Sequence, residues 1–168
     1  MVREPVSVCL SVSDGHEMFG NFTIKREESG KYNQNITLSL FPNEKPDIII
    51  ITYGGNVSLA VKAAEKYFFE EEILVNIVVP SSVKPIDNEF VIESSKECGK
   101  VIILEEGNVI GGWGAEVSSI IHENIFDQLK YPVQRIGAMD IPIPSSGPME
   151  LEMLPSSNDL YLIFNKMS

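Results

Sequence analysis

From residue 47 onward, short apolar runs alternate with stretches in which apolar positions recur every three or four residues. That alternation is the pattern of a parallel sheet covered by helices. Ile48, Ile49, Ile50 and Ile51 form the clearest strand, and an unbroken β-branched run suits a strand buried on both faces, near the sheet centre. Tyr53, Gly54 and Gly55 end it, and Asn56 is the expected cap of the helix that follows. Val57, Val61, Ala64 and Phe68 share one face of that helix and are expected to pack on the sheet, while Lys62, Glu65 and Lys66 point away.

The alternation continues with a strand over 74–79, a loop over 80–85, and a helix capped by Asp87 and running to about Glu97. A third strand is expected over 100–105. After a glycine-rich turn, Val117, Ile120, Ile121 and Ile125 mark the longest helix, ending near Leu129, since Pro132 blocks its continuation. A short strand over 133–136 follows. Pro142, Pro144, Pro148 and Pro155 mark a surface crossing before a final helix over 159–165. Upstream the pattern is weaker: an alternating strand over 6–12, a polar loop over 25–33 and an edge strand over 36–40.

Composition narrows the class without choosing a function. With 168 residues, 43% hydrophobic and 22% charged, the chain can bury one sizeable core and lies away from disordered sequences. A net charge of -11 counts against nucleic acid as a partner, because that affinity comes largely from Lys and Arg neutralising phosphates. Cys9 and Cys98 form no Cys-x-x-Cys pair and have no neighbouring histidine cluster, so neither suggests a metal, and the low count fits a reducing compartment. Met1 is followed by Val2, Arg3, Glu4 and Pro5 rather than an apolar leader, and no apolar run is long enough for a bilayer. The expectation is a cytoplasmic protein without a membrane partner, for which the sequons at Asn21, Asn35 and Asn56 carry no meaning.

The most prominent local feature is the turn Gly111, Gly112, Trp113, Gly114, Ala115 and Glu116, just after a strand ending in Glu105 and Glu106. Glycines there allow close backbone approach, and the helix that opens presents free N–H groups. The spacing matches neither the dinucleotide nor the phosphate-loop pattern, so tight packing or an intersubunit contact is the better expectation. Glu105 and Glu106 lie at the carboxyl end of a parallel strand, where α/β folds place their sites. Consecutive strand residues face opposite ways. They are therefore expected to divide, one capping or salt-bridging and one solvated, rather than to act as an acid–base pair. His16 and His122 have no nucleophile or ligand nearby in sequence.

From about residue 46 to 155 the chain resembles the transketolase C-terminal domain in the beta subunit of thiamine-diphosphate-dependent 2-oxo acid dehydrogenases. Asp47-Ile-Ile-Ile-Ile-Thr-Tyr-Gly54 looks like that family's first parallel strand and turn, and Val101-Ile-Ile-Leu-Glu-Glu106 like its third. Gly111-Gly-Trp-Gly-Ala-Glu116 matches Gly-Gly-Phe-Gly-Ala-Glu with an aromatic swap. Gly137, Asp140, Pro142 and Pro144 match Gly-x-x-Asp-x-Pro-x-Pro, and Leu154 and Pro155 the Leu-Pro before the last helix. The resemblance implies a three-layer α/β/α sandwich on a mostly parallel mixed sheet of about five strands, with 36–40 its antiparallel member. The domain would span 35–168, residues 1–34 being the possible tail of a preceding domain.

By the same resemblance, this domain builds a subunit interface, with an alpha subunit or other domains of the enzyme as partners and dimer formation expected. Thiamine diphosphate and magnesium would be held by other domains, so this chain is expected to bind no cofactor and to be inactive alone. Ser13-Asp14-Gly15 is similar to the Gly-Asp-Gly start of the family's magnesium-diphosphate motif but lacks its first glycine. The family also docks a lipoyl acyltransferase core through acidic residues. Lys130 stands in a segment that is often acidic in the family, and a lysine there would repel a basic docking domain. Two other readings stay open: a free-standing module binding a small ligand or effector at the 105–114 turn, and the equivalent domain of a transketolase or deoxyxylulose-phosphate synthase.

Overall fold

The computed structural model describes residues 10–13, 16–29, 33–142 and 146–167. Eight strands form one sheet: β1 (Leu10–Ser13), β2 (His16–Phe19), β3 (Phe22–Ser29), β4 (Asn33–Ser39), β5 (Ile48–Thr52), β6 (Val75–Val79), β7 (Val101–Asn108) and β8 (Gln134–Ala138). Their spatial order is β1-β2-β3-β4-β6-β5-β7-β8. The first four strands form an antiparallel meander, and β4 joins it to β6, again antiparallel. Beyond β6 every pairing is parallel.

Five helices accompany the sheet: α1 (Asn56–Glu71), α2 (Asn88–Lys96), α3 (Trp113–Ile125), α4 (Gly147–Met153) and α5 (Ser157–Met167). The isoleucine run of β5 is buried throughout and divides its side chains between two cores. Ile48 and Ile50 join Ala60, Ala64 and Tyr67 of α1 and Leu160 and Phe164 of α5. Ile49 and Ile51 join Val91 of α2 and Val117, Ile121 and Ile125 of α3. Period-two alternation on one strand thus feeds both faces of the sheet, and the expected three layers follow. Asp87 caps α2 by accepting the Phe90 N–H at 3.1 Å.

Several local expectations are corrected. The sheet has eight strands rather than about five. Of the expected polar loop over 25–33, residues 25–29 belong to β3 and Asn33 opens β4, which pairs on both sides and is an interior strand, not an edge. Within the expected 6–12 strand only residues 10–12 fall among the described residues, and Cys9, Asp14, Gly15 and Pro144 lie outside them. Residue 34, the expected domain boundary, lies inside β4. Asn56 does not cap α1, since Gly55 holds that position without a side-chain bond. On α1, Val61 and Ala64 are buried and Val57 packs on the core as expected, but Ala60, Ala63 and Tyr67 join them, and Phe68 instead turns toward Phe41 with ring centroids 5.2 Å apart. The longest helix is α1, not α3, whose regular part ends at Ile125 before a single 3-10 turn. Around Pro148 lies α4, which the proline density concealed.

Candidate functional site

At the carboxyl end of β7 the side chain of Glu105 is wholly buried. One carboxylate oxygen accepts the Gly114 N–H at 2.9 Å, in the first turn of α3. The other lies 3.1 Å from an Arg135 guanidinium nitrogen on β8. That guanidinium also donates to the Val109 carbonyl. The arrangement answers two requirements at once: a free N–H group of α3 and the positive end of its dipole meet a carboxylate, and the buried carboxylate meets a cation.

Three glycines make the space. A Cβ at Gly114 would lie 2.6 Å from a Glu105 carboxylate oxygen, and one at Gly112 would overlap both the Asn108 carbonyl and that carboxylate. At Gly137 it would meet the Gly107 carbonyl at 2.6 Å and Glu105 Cγ at 3.1 Å. The glycine-rich turn is therefore a cradle for an internal carboxylate. A phosphate has no vacancy at this helix terminus, because Glu105 already occupies it.

Above the cradle, Trp113 packs edge-on against Tyr53, centroids 4.9 Å apart, and donates its indole N–H to the Val83 carbonyl at 3.1 Å. Burial first, then the negative charge of Glu105, pushes the Tyr53 phenol above its ordinary pKa. Between residues 83–88 and the start of α3 runs a groove of about 1050 Å³, with Ile86, Trp113 and Ile120 on its walls and Lys84, Glu116 and Glu123 at its margins.

The residues singled out in the sequence thus separate. Glu105, Gly112 and Gly114 converge, while Glu106 faces outward beside Gly54. Gly111 adopts a φ of +69° in open space, Trp113 walls the groove, and Glu116 is exposed in the first turn of α3. Asp140 is exposed and accepts a 3.4 Å hydrogen bond from Asn108. Lys130 lies apart, exposed, with its backbone N–H bonded to the Gly99 carbonyl before β7 begins. Arg135 and Gly137 complete the cradle and were not foreseen. The available signal was an arginine inside a short strand that follows an apolar helix. His122 is tied to the Ser118 carbonyl at 2.7 Å on its own helix. Among the described residues no group of three or more His, Cys, Asp and Glu side chains could hold a metal, and no helix is long and apolar enough to cross a membrane.

A family model described as "Transketolase, C-terminal domain" matches residues 40–160. The chain is 32% identical over 117 residues, 70% of its length, to the "Pyruvate dehydrogenase E1 component subunit beta" of Rickettsia conorii, covering 36% of that protein. It is 36% identical over 108 residues, 64% of its length, to the "2-oxoisovalerate dehydrogenase subunit beta" of Bacillus subtilis, covering 33%. The chain thus spans about a third of the length of these curated relatives. Among solved structures, one titled "Split gene transketolase, inactive beta4 tetramer" superposes with a TM-score of 0.63 at 30% identity, over 78% of this chain and 41% of that one.

Proposed function

Because the chain belongs to the transketolase C-terminal domain family, we propose that it serves as the non-catalytic assembly domain of a thiamine-diphosphate-dependent 2-oxo acid dehydrogenase beta subunit. The reaction of the whole assembly would be oxidative decarboxylation of a 2-oxo acid with acyl transfer to lipoyl. The observation that carries this reading is the Glu105–Arg135 pair within its glycine cradle. The carboxyl end of the sheet, where α/β folds most often bind ligands, is here filled by the protein's own charges.

The described residues do not fit thiamine diphosphate. Among the described residues, the glycine-rich helix terminus at the start of α3 is closed by a carboxylate, which would repel a diphosphate. Cofactor and magnesium therefore belong to other domains or to an alpha subunit. Lys130, exposed and basic, counts against docking of a basic acyltransferase domain on its surface.

An assembly role asks for an apolar surface, and the region around α4 and α5 has one. Met139 and Leu162 are 57% and 70% exposed on the rim of a shared groove, and Met149 of α4 is 58% exposed. Such a concentration of large apolar side chains marks contact surfaces. Sedimentation velocity of the chain is expected to show a concentration-dependent dimer or larger species, and Leu162→Asp with Met149→Asp to dissociate it. A monomer at every concentration, unaltered by these substitutions, would contradict self-assembly.

A further inference from the structure

Strands β3 and β4 carry their buried apolar residues on one face, whereas β6 also sends Val78 into the core on the other. Phe22, Ile24, Leu38 and Ile77 enter the core beneath α1 and α5. On the other face the register aligns Thr23 with Ser39 and Lys25 with Thr37, and Asn76 of β6 continues the row. Neither α2 nor α3 covers this strip. It forms the floor of a groove of about 450 Å³, walled by residues 42–46 and by Glu97 at the end of α2. The groove opens at the amino end of the parallel strands, away from Glu105.

The floor is unusual for a solvated sheet face. Thr37 and Ser39 are only 8% and 6% exposed, yet among the described residues neither hydroxyl makes a hydrogen bond. Neither hydroxyl oxygen is among the fully buried unpartnered atoms, so both open onto the groove, where water or a ligand can bond them. Glu97 enters no salt bridge among the described residues, whereas Lys25 and Glu27 pair with each other at 2.9 Å. Burial raises the Glu97 carboxyl's pKa, Lys25 opposing and Glu27 adding to the rise, and the Asn76 amide, which hydrogen-bonds the carboxylate, also opposing.

We propose that this groove is a binding site for a small polyhydroxylated amine, an amino sugar or similar amino-polyol, whose hydroxyls meet Thr37, Ser39 and Asn76 and whose ammonium meets Glu97. Its volume lies within the range of small-ligand sites, and its hydroxyl, amide and carboxylate lining suits a hydrated ligand rather than an apolar one. Five of its twelve lining residues come from 23–39, before the family-matched segment begins at residue 40. It is also independent of the assembly role.

Titration of the full chain with glucosamine and, separately, with glucose, followed by two-dimensional amide NMR, tests it. Glucosamine is expected to move the amides of Thr37, Ser39 and Asn76 saturably, and to bind about tenfold more tightly than glucose, the difference being one charge-assisted hydrogen bond. Ser39→Ala and Thr37→Val should weaken both sugars. Glu97→Gln should abolish the discrimination while leaving the rest of the spectrum unchanged, which separates lost recognition from lost fold. Absence of saturable shifts with glucosamine, or equal binding of the two sugars by the unaltered chain, would overturn the proposal.

Discussion

The Glu105 carboxylate and the Arg135 guanidinium, 3.1 Å apart on neighbouring parallel strands, form a buried ion pair that joins β7 to β8 and, through the Gly114 N–H, to α3. Three elements meet at one carboxylate. Removing a partner from a buried pair strands the other's charge. Glu105→Gln keeps the shape and an acceptor for Gly114 but leaves Arg135 uncompensated, and is expected to cost about 3 kcal/mol, the lower end for such pairs because Arg135 keeps some water contact. Urea denaturation would measure it. Adding Arg135→Met should restore part of the loss, and a strictly additive double variant would contradict the coupling.

The cradle makes a second prediction, about glycine. Gly114→Ala would force its Cβ against both Glu105 and Ile103 Cγ2, and should destabilise by about 1–3 kcal/mol, as overpacking does. Gly107→Ala, two residues along β7 from Glu105, meets nothing within 4 Å and should be close to neutral. Equal effects in thermal melts would show that general chain stiffness, not the cradle, sets the cost.

Much of this arrangement was legible in the sequence, but unevenly. Ile48 to Ile51 and the Asp87 cap could be read because burial on both faces and N-capping each leave a local signature. Glu105 and Glu106 could be divided by strand geometry alone. The partner of Glu105 could not, because Arg135 is thirty residues away and the sequence around it shows only a cation beside Gln134. Lys25, Arg26 and Glu27 resembled a loop because no residue of β3 after Ile24 is apolar, although backbone pairing with β4 orders the strand. In α4, Pro148 is compatible with a first helical turn, so proline there signalled an opening rather than an interruption.

Cys98 bears on pH. Its side chain is buried, and desolvation pushes the thiol above the ordinary value of 9.0, against the opposing bond from the Lys100 backbone. Because the folded pKa is raised, the thiol's contribution to stability is fully present below the unfolded pKa and lost as pH rises through the folded one. The unaltered chain should therefore lose stability above pH 9.0 more steeply than Cys98→Ala. Peptide mapping after iodoacetamide treatment should find Cys98 unmodified in the native protein and modified in urea. Rapid native labelling would place the thiol in solvent.

The central claim is that this domain assembles an enzyme without holding its cofactor. Thiamine diphosphate needs a metal-held diphosphate and a carboxylate at its aminopyrimidine ring, since the protein must orient and activate it. Here the glycine-rich turn encloses Glu105, and no described cluster of acidic or histidine side chains could hold magnesium. Isothermal titration of the chain with thiamine diphosphate and magnesium measures this directly. The account predicts no saturable heat. Stoichiometric micromolar binding, abolished by Asp14→Ala, would contradict it and make the chain a cofactor-binding enzyme in its own right.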